Sequence, residues 1–342
     1  TSLSGVMVLD WARQRNHILP FSVALIGLFA SVLTFVRTPA LCAPVILLSV
    51  FFVYLEVITE LSFRSPPRRK PVIEDSDWEK INVNINGINI LHYLFRGDAN
   101  KPLAWLCHGW TAGAVRMVNR ATSFRERGWS VMLVDLPSHG GSDSLKKWSA
   151  EETTTLLIGS INRFSQTHGD LVGRKICFYG HSIGAFIGLR ISKRRNELLL
   201  PQCLSGWIFE SPMTGYTEIH KETCDMLRIP TIVRPWVLKK TMRHFNAING
   251  PIRRITSLSD ADIPAWGMVH EKTLLVQADP DERLGPVHHQ RLIECMAVSD
   301  YSSLLTQRFL PELRHSGSHV CDSRKQVVDQ WIDDVYGHSS AV

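Results

Sequence analysis

Ser182 stands in Gly180-His181-Ser182-Ile183-Gly184, between an apolar strand-like run, Lys175 to Tyr179, and a helix-like run, Ala185 to Arg190. A serine set on a tight strand-to-helix bend projects its hydroxyl into a cleft, and the flanking glycines let backbone pass closely. The following helix points its N-terminus at the same place, where negative charge is stabilised. That combination suits a nucleophile whose attack generates an oxyanion. A serine hydroxyl is weakly nucleophilic at neutral pH, so it needs a histidine to take its proton and a carboxylate to orient that histidine. The sequence points to His319, in Arg314-His315-Ser316-Gly317-Ser318-His319-Val320, a small-residue loop just before the last predicted helix. His315 is the alternative. A His-x-x-x-His pair on a helix could bind zinc, but Gly317 and the serines argue against a helix here. No metal and no cofactor are expected.

The elements that must position these groups are legible as runs of apolar residues. Leu103 to Cys107 reads as a buried strand ending in His108-Gly109-Trp110-Thr111-Ala112-Gly113. Trp129 to Asp135 reads as another, ending in Leu136-Pro137-Ser138-His139-Gly140-Gly141-Ser142-Asp143. Lys80–Val83 and Ile88–Leu94 flank Asn86-Gly87, a hairpin signal. Further strands are expected at Leu204–Phe209, Lys272–Ala278 and Ser303–Phe309. Helices are expected at Glu151–Thr167, with Leu156, Leu157 and Ile161 on one face, and at Arg283–Val298 and Arg324–Tyr336. Strands alternating with helices predict a mostly parallel sheet covered on both faces.

An H-G turn, a D-x-P-x-H-G-x-S-type turn and a G-x-S-x-G turn, in that order after successive strands, resemble the α/β-hydrolase superfamily. The likeness spans about residues 78 to 338 and is greatest to serine esterase, lipase and lysophospholipase-like members whose oxyanion turn begins H-G-W. The resemblance implies the chain order serine, acid, histidine. It also implies that the acid follows the strand Leu274 to Ala278. There, Asp279-Pro280-Asp281-Glu282-Arg283-Leu284 is similar to a G-x-x-D-x-x-V turn, which aligns Asp281 with the acid. Ala278 replaces the usual glycine, so Asp279 is an alternative and Glu210 a weaker one. The backbone N–H groups of Trp110 and Ile183 would form the oxyanion hole. His108, His139 and Asp135 are expected to brace the loops as buried, hydrogen-bonded groups. An aspartate nucleophile would have implied a dehalogenase or epoxide hydrolase, whereas Ser182 implies acyl transfer.

The chain has 342 residues and a net charge of +6, with no phosphate-binding glycine loop and no basic-aromatic interleaving, so no nucleic-acid partner is expected. Seven scattered cysteines without a C-x-x-C pair argue against a disulfide framework and for a reducing compartment. Ile18 to Val36 and Thr38 to Leu55 carry no charge except Arg37 between them, and each is long enough to cross a bilayer core. Glu56 and Glu60 then mark where the second helix leaves the lipid. Arg13 and Arg15 precede the pair, and Arg64, Arg68, Arg69 and Lys70 follow it, which predicts a hairpin with both ends in the cytoplasm. A signal peptide would need an A-x-A-like site, and none follows cleanly. A shallow re-entrant anchor is the other alternative, since Pro20, Pro39 and Pro44 interrupt the runs.

The expected organisation is a membrane hairpin (1–64), a linker (65–77) and a hydrolase domain (78–338) with a lid insertion at 214–270. From Ile219 to Arg254 the insertion carries Lys221, Arg228, Arg234, Lys239, Lys240, Arg243, Arg253 and Arg254 against Glu222 and Asp225, interleaved with apolar residues and Trp236. Such a segment either dips into an anionic membrane surface or packs as a cap with its charged face in water. The expected protein is a membrane-anchored serine hydrolase acting on a lipid or other acyl ester. A thioesterase or acyltransferase is the same-class alternative. A non-catalytic, membrane-tethered binding protein is the other, and its mark would be a missing triad member. The oligomeric state stays open.

Overall fold

The computed structural model describes residues 3–66, 70–171, 173–250, 252–298 and 301–337. Residues 67–69 of the expected linker, with Arg68 and Arg69 of the expected basic flank, lie outside the described residues, as does 338, the end of the expected hydrolase domain. In chain order the elements are α1 (Leu3–Arg13), α2 (Ile18–Arg37), α3 (Cys42–Leu61), β1 (Glu79–Ile85), β2 (Ile88–Phe95), β3 (Leu103–Cys107), α4 (Val118–Arg125), β4 (Ser130–Val134), α5 (Ala150–Thr167), β5 (Ile176–His181), α6 (Ile183–Lys193), β6 (Leu204–Glu210), α7 (Tyr216–Met226), α8 (Arg234–Asn249), β7 (Lys272–Ala278), α9 (Pro286–Val298), β8 (Leu305–Leu310) and α10 (Asp322–Tyr336). They divide into two units. One is Thr1–Ser65, Leu145–Ser149 and Thr217–Leu258; the other is Pro66–Ser144, Ala150–Tyr216 and Ser259–Val342.

The larger unit is built on an eight-stranded sheet in the order β1-β2-β4-β3-β5-β6-β7-β8. Only β1–β2 and β2–β4 pair antiparallel; from β4 to β8 all pairs are parallel. The β1–β2 hairpin turns on Asn86 and Gly87, both at positive φ (53° and 84°), as a tight two-residue hairpin turn requires. Every residue of β3 and β4 is buried, the mark of strands covered on both faces. Side chains alternate between those faces. Ala104, Leu106, Val131, Leu133, Cys177 and Tyr179 share a core with Met117, Ala121 and Phe124 on the α4 side and with Val328, Trp331 and Ile332 of α10. Their neighbours Trp105, Phe178 and Trp207 pack edge-on and tilted against one another on the opposite face, where α6 approaches so closely that a Cβ at Gly188 would lie 2.4 Å from the Phe178 ring.

In the smaller unit, α2 and the helical stretch Pro39–Leu61 are both long and apolar enough to cross a membrane, with mean hydropathies of 2.2 and 2.4. They pack through small residues: a Cβ at Gly27 of α2 would sit 2.6 Å from the Ser49 Cβ of α3. The helix α1 has no counterpart in the sequence expectations. Residues 217–258 of the expected lid fold with these helices, whereas 259–270 fold with the larger unit. Leu55 of α3 shares an apolar cluster with Cys224, Ile229 and Val237. Glu56 is ion-paired with Lys240, and Glu60 accepts the His17 backbone N–H (2.9 and 3.1 Å) and lies 3.4 Å from Lys147 Nζ. Both acids are buried, and α3 runs on to Leu61, six residues past the expected end of its apolar run. Glu56 thus faces α8, whereas Glu60 faces the start of α2 and Lys147.

Candidate active site

Ser182 sits between β5 and α6 at φ 54°, ψ −117°, a strained bend for a side-chain-bearing residue. The flanking glycines are there for space. A Cβ at Gly180 would meet Ala185 backbone at 2.5 Å, and one at Gly184 would meet the Cys107 carbonyl at 2.4 Å. The Ser182 N–H donates to the Glu210 carbonyl (3.0 Å), which ties the bend to the end of β6. Only 8% of Ser182 remains exposed.

The loop after β8 brings His315 to this serine. His315 Nε2 lies 3.0 Å from Ser182 Oγ, and His315 Nδ1 lies 3.0 Å from Asp281 Oδ2. A carboxylate only accepts, so Nδ1 carries the proton and Nε2 is left to accept the serine hydroxyl. Asp281 Oδ1 accepts the N–H groups of Arg283 (2.9 Å) and Leu284 (2.8 Å), and Gln277 Nε2 donates to Oδ2 (3.1 Å). Burial pushes its carboxyl up. The hydrogen bond and charge of His315 and the two backbone donors outweigh that and hold it at about 2. Asp279 is exposed, with its backbone N–H on the Leu310 carbonyl, and takes no part.

His319 is not in this chain of hydrogen bonds, which corrects the sequence expectation in favour of His315. Gly317, at φ +96°, turns the loop between them. His319 emerges exposed, with its ring nitrogens 2.8 and 3.0 Å from Arg116 Nη1. A guanidinium only donates, so it occupies the lone pair a general base would use.

The groups expected to form an oxyanion hole flank Ser182. Gly109 runs so near it that a Cβ there would lie 3.2 Å from Ser182 Cβ, which brings the Gly109–Trp110 peptide alongside. Ile183 opens α6, where N–H groups have no partner within the helix. His108, His139 and Asp135 act as braces. His108 accepts the Leu136 N–H (3.0 Å) and donates to the Gly109 carbonyl (2.8 Å). His139 accepts from Thr111 N–H (3.3 Å), and Asp135 accepts from Ala114 (2.7 Å) and Gly141 (2.9 Å).

Several positioning groups were not anticipated. His181 Nε2 donates to the His315 carbonyl (3.1 Å), its ring 5.1 Å from that of His315, and burial lowers its pKa to about 3, so it stays neutral. Its place beside Ser182 in the motif was the available signal. Glu282 accepts the His315 and Ser316 N–H groups (3.3 and 3.2 Å). Glu210 lies outside the Ser182–His315–Asp281 chain of hydrogen bonds. It accepts Arg120 through both oxygens (2.7 and 2.5 Å) and the Tyr179 hydroxyl (2.5 Å), with Arg324 at 3.6 Å. Arg324 donates to the Ser318 and His319 carbonyls (2.6 and 3.0 Å), and Arg120 reaches Ser318 (3.4 Å). A buried ionic frame thus grips the histidine loop.

The sheet order, the serine bend after β5 and the carboxylate turn after β7 define an α/β-hydrolase fold. A family model described as "Serine aminopeptidase, S33" matches residues 98–261. The matched stretch and the solved structures it resembles agree on the α/β-hydrolase fold. Its fold is similar to that of an esterase from Pyrococcus furiosus, with a TM-score of 0.56 and 13% identity over 79% of this chain and 99% of that one. It is also similar to Est1E from Butyrivibrio proteoclasticus, solved with ferulic acid bound (0.52, 16%, covering 75% and 100%). An α/β hydrolase from Vibrio vulnificus gives 0.53 at 18% identity, covering 77% and 82%. At these identities the likeness is one of fold. No curated protein matches the chain.

Proposed function

We propose that the protein is a membrane-anchored serine hydrolase that cleaves carboxylic esters, its substrates being lipid or other acyl esters, through a Ser182–His315–Asp281 triad. The observation that carries this reading is the continuous hydrogen-bonded chain from Ser182 Oγ through both His315 nitrogens to Asp281. Ser182 Oγ attacks the ester carbonyl while His315 Nε2 takes its proton. Asp281, ionised at any ordinary pH, stabilises the imidazolium without accepting its proton. The Trp110 and Ile183 N–H groups receive the oxyanion. His315 returns the proton to the leaving alkoxide, giving alcohol and acyl-enzyme, and then activates water to release the acid.

The anchor is the α2–α3 hairpin, whose length and hydropathy suit a bilayer core. The excess of Arg and Lys outside the hairpin favours a cytoplasmic active site. Thioester hydrolysis or acyl transfer would use the same groups. A binding protein with a hydrolase fold has no need of an aligned serine, histidine and acid.

A fluorophosphonate probe tests the reading: one label per chain is expected, lost together with turnover in Ser182→Ala. Labelling that survives the substitution would overturn it. Rates on p-nitrophenyl esters, lysophospholipids and acyl-CoA then sort the substrate classes.

A further inference from the structure

We infer that the cap segment Met226–Trp236 lies in the lipid interface beside α3 and is held there by anionic headgroups. The inference rests on the reading of α2 and α3 as membrane-embedded.

The register of α8 against α3 carries it. The Trp236 ring meets Phe51 edge-on at 6.2 Å, Val237 shares a cluster with Leu55, Lys240 pairs with Glu56, and the His244 ring stacks on Phe63 at 6.0 Å. Residue numbers rise together along both helices, so α8 runs beside α3 in the same direction. Its N-terminal end therefore points toward the apolar body of α3. Glu56 is the first charged residue of α3, and Phe51 lies five residues before it, about 7 Å along the axis. Trp236 is thus carried about 7 Å to the apolar side of that first charge. Interfacial elements sit roughly 5–10 Å into the boundary between headgroups and acyl chains, the depth at which tryptophan is enriched.

Trp236 and the segment that leads into it present bare apolar side chains. Ile232 is 74% exposed, Met226 69% and Trp236 50%. Cations border it. Arg228 and Lys239 are exposed, while Arg234 is paired with Asp225 (2.7 Å). Each cation near an anionic surface favours docking by about 1 kcal/mol. A cap facing only water would account for Arg228 and Lys239. It would not account for Trp236 left half bare beside Phe51, with Ile232 bare four residues before it. The partner these features fit is an anionic phospholipid surface, continuous with the exposed Leu47, Leu48 and Phe52 of α3.

The test is photocrosslinking of the full chain in vesicles of phosphatidylcholine, with or without phosphatidylglycerol. A p-benzoylphenylalanine replaces Phe29, Ile232 or Trp236 in turn, and lipid adducts are read by mass spectrometry. Adducts are expected at all three positions. Those at 232 and 236 should fall severalfold without phosphatidylglycerol and in Arg228→Glu/Lys239→Glu, while the Phe29 yield stays constant. Lipid adducts at Phe29 with none at 232 and 236, or chain-to-chain adducts there, overturn the cap inference alone. Cap adducts indifferent to headgroup charge overturn the anionic partner. Absence of adducts at Phe29 overturns the membrane reading and the inference with it.

Discussion

Replacing Glu210 by glutamine removes one negative charge from a site where its side chain is 1% exposed and two guanidinium groups depend on it. Arg120 is paired with it through both oxygens, and Arg324, itself 2% exposed, lies 3.6 Å away. Breaking a buried pair from one side strands the opposite charge and costs about 3–5 kcal/mol. That is a large share of a typical domain stability of about 5–15 kcal/mol, and should lower Tm by about 10 °C. The same two arginines hold the Ser318 and His319 carbonyls, three and four residues past His315. Loosening them should misplace the imidazole, and a displacement of about 1 Å can cost about 10²-fold in rate. The expectation is a lower melting temperature with kcat reduced about 10²-fold and KM nearly unchanged. Glu210→Gln/Arg120→Met should recover part of the stability, because one stranded charge is gone. The assays are thermal unfolding and steady-state ester hydrolysis by the full chain in detergent. A Glu210→Gln enzyme with wild-type melting and kcat would refute the claim that this frame fixes the histidine loop.

Three further outcomes follow from the same geometry. His181→Phe should lower kcat about tenfold at constant KM, the loss of roughly one hydrogen bond's worth of positioning on the His315 carbonyl; steady-state kinetics with an unchanged value would remove His181 from the site. Asp281 is held at about 2 against an ordinary 3.8, so its stabilising contribution is complete above its unfolded pKa and lost as pH falls through the folded one. The stability gap between wild type and Asp281→Asn should thus be level above about pH 4 and close toward about pH 2, as denaturant midpoints would report; a gap that widens on acidification contradicts the pairing. Deleting residues 1–64 strips Leu55 and Glu56 from Val237 and Lys240, so limited proteolysis should cut within 217–258 much faster than in the full chain. Equal cleavage rates would show that the cap folds without α3.

The sheet was legible because its strands are short buried apolar runs and because glycines mark the turns where backbone must pass backbone. Ser182 and Asp281 were legible for the same reason, each tied to the end of a strand. The choice between His315 and His319 was not, because both lie in one loop of small residues and the decision rests on the turn at Gly317 and on Arg116, some 200 residues away in sequence. Glu210 carries no local mark of its role, since its partners Arg120 and Arg324 come from distant segments. The grouping of residues 217–258 with α3 was hidden in a similar way. Glu56 and Glu60 mark the charged end of α3 in the sequence, but nothing local to them shows that each also meets a lysine from another segment, Lys240 and Lys147.

The most direct measurement compares kcat for p-nitrophenyl ester hydrolysis in His315→Ala and His319→Ala at matched folding. With His315 as the base on Ser182, His315→Ala should lose about 10³-fold or more, leaving only oxyanion and binding effects, while His319→Ala should stay within about tenfold of wild type. Full activity in His315→Ala, or a greater loss in His319→Ala, would contradict the triad.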